Sequence, residues 1–317
     1  MKIALIGAGR MANAHISGLL PHGDVGIYAL ENSDAFCEKH GIKKFNTLDE
    51  ILQWADIVDI CTPTDTHYEI AKNALNAGVH VICEKPLCRD SVDAKDLITT
   101  ARNNGVKLFP AHVVRFFPSY VRLKNAVDEG KLGQLATLRF TRSGTFPSWS
   151  RWFEDESRSG GLVMDLMIHD FDQAVWLAGP VREIFASQVE RQTVDTKIAA
   201  AHCILTHEGG ALSHIRGLWG ALETQFCTSY HVAGDKGFMS YDSFNDPFVT
   251  LNGTDRESAH VVPLSTGDDP YALQIAEFVS AIQENGSPRV TSQDGAHAVE
   301  LAEAAIKSIT TGRPIRI

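Results

Sequence analysis

The chain opens on a short apolar run, Lys2 to Ile6, and passes at once into Gly7-Ala8-Gly9-Arg10-Met11-Ala12. This G-x-G-x-x-A turn lies between a predicted strand and a predicted helix over 14–19, which is the context a dinucleotide turn requires. Gly7 permits the tight turn, Gly9 lets the backbone approach a pyrophosphate, and Ala12 is small enough for helix and strand to pack closely. The helix N-terminus would then offer amide hydrogens and a partial positive charge to the phosphates. A glycine-rich turn that holds nothing is the plainer alternative.

Strands and helices keep alternating after the turn. A second strand, 25–30, runs to Glu31, about 20 residues beyond the glycines, where an acid can accept both ribose hydroxyls and repel a 2′-phosphate. That favours NAD over NADP, although a solvated strand-end acid reads the same way. Helices are predicted over 47–54, 66–77 and 90–103, with Asp90 as N-cap of the last, and strands over 57–61, 79–83 and 106–110. Near-continuous apolar strands in repeated βα units imply a doubly wound parallel sheet, whose ligands lie beyond the carboxyl ends of the strands. Three such ends carry polar groups: Cys61-Thr62-Pro63-Thr64 with His67, then Glu84-Lys85-Pro86, then His112 and Arg115. Lys85 precedes a proline, which biases it out of a helix, so it is a candidate electrophile or proton-transfer group. A surface lysine on a flexible stem is the alternative.

At 317 residues the chain suits two domains, placed at 1–118 and 119–317. Lys+Arg total 29 against 39 Asp+Glu, a formal charge of −10, and no basic run interrupts that balance, which argues against nucleic acid or an anionic membrane as partner. The six cysteines lack C-x-x-C spacing and several fall in apolar runs, so neither a zinc site nor a disulfide framework is expected and no metal is assigned. The first apolar run is too short for a signal peptide and no later one reaches about 18 residues, so a cytoplasmic protein is expected.

The second half changes character. Gly160 to Asp172 reads as one helix, which puts Asp165 and His169 four residues apart on one face and Asp172 three further on. An imidazole one turn from a carboxylate suits a base whose tautomer an acid holds; it also suits an ordinary amphipathic helix with a wet polar face. Upstream, Phe146, Trp149, Trp152 and Phe153 crowd a loop and are expected to line a pocket or an interface, the pocket being preferred. Downstream, four strand-like segments between 181 and 233 and a turn at Asp235-Lys236-Gly237 imply an open, mainly antiparallel sheet, hence an α+β domain. The predicted helices suffice to cover one face only. The other, with Phe226, Thr228, Tyr230 and Val232 alternating against Cys227, Ser229 and His231, is expected to meet a second copy in a homodimer or homotetramer. His202, His207, His214 and His231 read as structural or surface residues. Two helices, 272–283 and 294–310, and a strand at 314–317 close the chain.

Taken in order, the glycine turn, Thr62-Pro63 with His67, Glu84-Lys85-Pro86, and Gly160-Gly161 with Asp165 and His169 resemble the motifs of the glucose–fructose oxidoreductase / inositol dehydrogenase family of nicotinamide-dependent oxidoreductases. The likeness runs nearly end to end, including Gly130-Lys131-Leu132-Gly133 and Thr311-Gly312-Arg313. It implies oxidation of a secondary hydroxyl on a polyol or sugar, with NAD bound by Gly7, Gly9, Arg10, Met11, Ala12, Glu31, Cys61 to Thr64, His67, Glu84, Lys85 and Arg115. It also implies His169 as general acid/base, Lys85 and Asp165 as its catalytic companions, and His112, Trp152 and Asp172 as substrate contacts. The wording Met167-Ile168-His169-Asp170-Phe171-Asp172 is most similar to the inositol dehydrogenases. Two other functions share such a fold: a dinucleotide-binding sugar sensor without chemistry, which would have no need of Lys85, Asp165 and His169 together, and a glycosidase that uses NAD transiently.

Overall fold

The structure, a computed structural model, describes residues 1–194, 196–244 and 269–317 in full, and 246–253 and 260–263 by their backbone. The chain forms two compact units, Met1–Phe116 with Asp268–Val299 and Phe117–Gly267 with Glu300–Ile317.

In the first unit the elements are β1 (Lys2–Ile6), α1 (Arg10–Leu19), β2 (Asp24–Tyr28), α2 (Ser33–His40), β3 (Lys43–Lys44), α3 (Leu48–Trp54), β4 (Ile57–Ile60), α4 (His67–Asn76), β5 (His80–Glu84), α5 (Ser91–Asn103) and β6 (Leu108–Ala111). The strands form one parallel sheet in the order β3-β2-β1-β4-β5-β6. The order reverses direction between β1 and β4, which is where a doubly wound sheet opens a crevice for ligand. β4 is buried at all four positions and β1 and β5 at four of five, the pattern of strands covered on both faces. Helix starts follow local chemistry. Thr47 accepts the Glu50 N–H at 3.2 Å, and Asp90 accepts the Asp93 N–H at 2.9 Å as expected of an N-cap. The short α2 and β3 carry too little periodicity to be read from sequence. β2 stops at Tyr28, short of the expected 30, and leaves Leu30 89% exposed.

The boundary expected at 118 falls close to the Phe116/Phe117 division, but the chain also returns to the first unit through α10 (Pro270–Gln283). The reason is packing. Ile275, Phe278 and Val279 join the cluster beneath α1, and Phe278 stacks on Phe109 with centroids 4.7 Å apart. α1 admits this helix because Gly18 lacks a side chain: a Cβ there would stand 2.9 Å from Ala272 Cα and 2.9 Å from Ile275 Cδ1.

The second unit contains α6 (Pro118–Asp128), β7 (Leu135–Thr145), α7 (Glu156–Ser159), α8 (Gly161–Asp165), α9 (Ile168–Ala178), β8 (Val181–Gln192), β9 (Lys197–His207), β10 (Leu212–Gly220), β11 (Cys227–Gly234), β12 (Gly237–Asp242), β13 (Asp246–Gly253) and β14 (His260–Pro263). The helix α11 (Ser292–Thr311) leads to β15 (Ile315–Arg316). The nine strands take the order β14-β13-β12-β11-β7-β10-β9-β8-β15, antiparallel except for β7 with β10. The open, mainly antiparallel sheet is therefore present, and β13 and β14 extend it beyond what the sequence suggests. The Asp235-Lys236 turn does join β11 to β12, pairing Gly234 with Gly237.

One expectation about this sheet is corrected. Tyr230 and Val232 point into the covered side, where both are buried and the Tyr230 hydroxyl donates to Ser119 O at 2.9 Å. The register instead aligns Phe185, Ile204, His214, Arg139 and His231 across five strands on the open side. His202 and His214 stack there, ring nitrogens 3.1 Å apart, while His207 is buried and bonded to Gly179 O and Ser213 Oγ.

Among the described residues no helix is long and apolar enough to cross a membrane, and the six cysteines carry no disulfide. The tight α1–α10 approach gives a test. Gly18→Ala should destabilise the protein by about 1–3 kcal/mol in urea unfolding, as overpacking does. Helix propensity alone would instead raise stability by about 1 kcal/mol, so a gain would contradict the packing account.

Candidate active site

In the parallel sheet β1, β4 and β5 are neighbours, so the segments that follow them share one edge: the glycine turn, the Cys61 to Thr66 loop, and Lys85. Gly7 has φ +103°, and a Cβ on it would stand 2.8 Å from the Cys61 carbonyl oxygen; only glycine meets both conditions. Gly9 is the N-cap of α1 in an extended conformation, with no side-chain cap, no acid in the first turn, and nothing within 4 Å of where a Cβ would lie. Open space in front of unshielded helix amides fits a dinucleotide pyrophosphate. Ala12 is fully buried against the strand, as its smallness predicts.

Beneath this edge lies a charged cluster that the sequence analysis did not single out. His15, on α1, has Nδ1 2.8 Å from Asp59 Oδ2 and Nε2 3.0 Å from Glu84 Oε1, with all three residues buried. Glu84 Oε2 accepts the Lys85 N–H at 3.0 Å. Burial by itself would lower the His15 pKa, but the charge and hydrogen bonds of Asp59 and Cys61 together lift it well above the ordinary value. Burial likewise pushes Glu84 up, and the hydrogen bond and charge of His15, with Lys85, bring it below the usual carboxylate range. A raised histidine stabilises the fold fully below its ordinary pKa, and the contribution is lost as pH rises through the raised value. The available signals were an acid inside the apolar run Ile57 to Ile60 and a histidine on the inward face of α1.

His67 opens α4 with both ring nitrogens committed to main chain, Nδ1 2.8 Å from Pro86 O and Nε2 2.9 Å from Thr62 O. His67, expected beside the cofactor, ties the loop after β4 to the loop after β5. Burial lowers its pKa below the ordinary value, against the two backbone contacts, which raise it. Thr66 Oγ1 closes the first loop through Thr62 Oγ1 and Pro63 O, each at 2.7 Å; Thr64 is buried within it. The Lys85–Pro86 peptide is cis.

Arg115 is buried and faces Asp294 at 3.2 Å; its guanidinium donates to Arg289 O at 2.9 Å, and the Arg289 guanidinium donates to Arg115 O at 3.0 Å. That gives it a structural role, joining the end of β6 to the chain that returns after 268. His112 is fully buried at the end of β6. Glu31, expected at the ribose, stands outside the cavity at the end of β2. This cavity, of about 540 Å³, is lined by Tyr28, Asn32, Ser33, Asp34 and Lys44 but not by Glu31, because β2 ends early. The carboxylate on that wall is Asp34, paired with Lys44 at 2.6 Å.

In the second unit Gly160 to Asp172 is two helices and not one. Leu166 N–H bonds to Leu162 O, Met167 N–H also to Leu162 O, and Asp170 N–H to Met167 O. The bonding interval runs from four residues to five and then three, so the helical register breaks at Leu166-Met167. Asp165 therefore ends α8 and His169 is the second residue of α9, and the single-face argument holds only for His169 with Asp172, three apart on α9. His169 is half-buried and Asp172 buried. Between them Asp170 turns inward and forms a buried pair with Arg142, 2.8 Å from Nη2 and 3.3 Å from Nε. The Tyr120 hydroxyl completes this cluster, 3.4 Å from Arg142 Nη2 and 2.6 Å from Thr228 Oγ1. Burial raises the Asp170 pKa above the ordinary value despite Arg142. Of the aromatic loop, Phe146 is core, edge-on to Trp219 at 5.3 Å, because it follows directly on β7; Trp152 is half-buried and stacks on Phe153 at 4.0 Å.

Comparison with known proteins accords with this picture. A protein-family model described as an oxidoreductase family with an NAD-binding Rossmann fold matches residues 1–112, and one described as a GFO/IDH/MocA C-terminal domain matches residues 120–240. The chain is 30% identical to an uncharacterized oxidoreductase, YrbE, of Bacillus subtilis (strain 168), over 99% of this chain and 95% of that one. It is 29% identical to a myo-inositol 2-dehydrogenase of Thermotoga maritima, over 100% of this chain and 98% of that one. Its fold matches a levoglucosan dehydrogenase solved with NADH and L-sorbose, at TM-score 0.88 and 21% identity over 100% and 98% of the two chains.

Two outcomes follow from the geometry. Gly7→Ala should weaken NAD+ binding roughly tenfold or more, since a left-handed residue gains strain of 1–2 kcal/mol before any clash; unchanged affinity in calorimetry would remove the turn from the cofactor site. Asp170→Asn, which leaves Arg142 buried without its anion, should lower stability by about 3–5 kcal/mol in urea unfolding.

Proposed function

The chain belongs to the GFO/IDH/MocA oxidoreductase family, and on that premise we propose that it oxidises, reversibly, a secondary hydroxyl of a polyol or sugar with NAD as partner. The observation that carries the reading is the shared sheet edge: an uncapped glycine turn suited to pyrophosphate, two strands from a lysine anchored at the end of β5. NAD, held at the turn by Gly7, Gly9, Arg10 and the α1 amides and at the next strand by the Cys61 to Thr64 loop, supplies the hydride acceptor.

The chain's own groups handle the proton and the charge. His169, half-buried near the start of α9, takes the proton of the substrate hydroxyl. Lys85 offers a cation to the oxygen as negative charge develops, a role that a preorganised donor performs without reorganisation. Asp165 supports the pair electrostatically, and Asp172, one turn along α9 from His169, is a substrate contact together with His112 and Trp152. An inositol-like substrate is supported by the inositol dehydrogenase named among the relatives. NAD is the cofactor proposed, in keeping with the NAD-binding Rossmann fold of the matching family model. The open sheet face, with Phe185 and Ile204 exposed beside Arg139, His214 and His231, is proposed to meet a second copy; sedimentation as a monomer would refute that.

The test is reduction of NAD+ in the presence of a polyol and sugar panel, with inositols included. His169→Ala should keep NAD+ affinity and lose about 10²–10⁴ in kcat, the range typical of a general acid/base group. Wild-type turnover in that variant would sink the assignment.

A further inference from the structure

The buried cluster under the glycine turn has a stoichiometry that its distances impose. The His15 imidazole stands between two carboxylate oxygens, 2.8 Å and 3.0 Å from its two nitrogens. Both oxygens are acceptors, so both nitrogens must carry hydrogen if both contacts are hydrogen bonds and both acids are ionised. The remaining oxygen of Glu84 takes the N–H of Lys85 at 3.0 Å. One carboxylate thus joins the imidazole to the lysine's own peptide. On the far side of the same short loop, Pro86 O is held by His67 at 2.8 Å. The backbone is thus held on either side of Lys85, at its own N–H and at the Pro86 carbonyl.

We infer that His15 is a positioning residue for Lys85, acting through Glu84: a buried imidazolium that locks the Glu84 carboxylate and with it the backbone from which the lysine projects. This rests on the reading of Lys85 as the group that stabilises the substrate oxygen. The groups facing His15 come from every element packed on it: Asp59 and, 3.6 Å from Nδ1, Cys61 Sγ from β4 and its end, Glu84 from β5, and the Tyr271 ring, 5.7 Å away, from α10. Two carboxylates against one thiol and one phenol leave the ring as the cluster's cation. The raised pKa of His15 and the lowered one of Glu84 agree with that assignment.

The experiment compares wild type, His15→Gln, Lys85→Met and the double variant, with NAD+ and the panel polyol that gives the highest turnover. Glutamine keeps a donor but carries no charge and cannot donate from two opposed atoms. Displacement of the reacting group by an ångström is worth about 10²-fold, so His15→Gln should lose up to that factor in kcat. KM and NAD+ affinity should stay within about threefold, and added to Lys85→Met the change should do nothing further, since the two act as a unit. Lys85→Met at wild-type kcat, or a panel with no turnover at all, defeats the functional reading itself. An impaired Lys85→Met beside a fully active His15→Gln defeats the inference, as do losses that multiply in the double variant. The inference is also checked on the wild-type protein, whether or not His15→Gln folds. The ¹⁵N resonances of the His15 ring should show both nitrogens protonated at about pH 8, well above the ordinary histidine value of about 6.5. A neutral ring there, with the proton on an acid, overturns the charged bridge.

Discussion

The first unit depends on an imidazole placed between two carboxylates where water does not reach. Removing an ion from water costs several kcal/mol even after relaxation, and the loss is offset only when partners sit at hydrogen-bond distance and leave few lone pairs unmet. His15, Asp59 and Glu84 meet that condition, and because they come from α1, β4 and β5, meeting it fixes where those three elements stand. The start of α1 carries the glycine turn, the end of β4 leads to the Thr62 loop, and the end of β5 carries Lys85. A single charged contact therefore sets the ligand edge of the sheet, and His67 ties the two loops that extend from it.

A similar device stands in the second unit. Arg142 of β7 reaches Asp170 of α9 in a buried pair, and Tyr120 of α6 links that pair to Thr228 of β11. α9 is thereby tied to the sheet through a polar contact as well as through Ile168 and Phe171, which are fully buried. Apolar packing tolerates small slides of a helix; a bidentate guanidinium–carboxylate pair with no water at hand does not, because each displaced bond leaves an unmet charge. A general base on such a helix keeps its geometry through thermal motion that would blur a packed but unpinned one.

What could be read from the residues, and what could not, divides along the same physical line. Periodicity and end signals revealed the parallel sheet, the Asp90 cap and the antiparallel character of the second unit, because those are local properties of short segments. Glu84-Lys85 and the glycine turn were legible as motifs. The His15 cluster was not, since its members lie 44 and 69 residues apart and only the fold brings them together. The break between α8 and α9 was also hidden: Leu166 and Met167 are good helix formers, and the slip in hydrogen bonding is set by tertiary packing, with Met167 closing on the side chain-free Gly217 of β10. The strand before Glu31 ends two residues earlier than the apolar run suggested, and Asp34 lines the cavity at that end where Glu31 does not.

In both units the residue proposed for chemistry is the immediate neighbour of the acid that anchors it: Glu84 beside Lys85, Asp170 beside His169. The arrangement follows from backbone geometry. At a strand end successive side chains point to opposite sides, and in a helix they diverge by about 100°, so one of two neighbours can be buried while the next faces ligand. Adjacency also makes the anchor short. The Glu84 carboxylate accepts the amide N–H bonded directly to the Lys85 Cα, so the buried acid fixes the backbone from which the lysine side chain starts. An anchor further along the chain would act through several soft dihedrals and transmit less of its own precision. The separation of duties has a chemical benefit as well. The buried acid is free to be fully hydrogen-bonded, while the group that meets substrate keeps its capacity to accept or shield a proton. A single residue could not satisfy both demands, because the bonds that immobilise a polar group are the ones that catalysis needs.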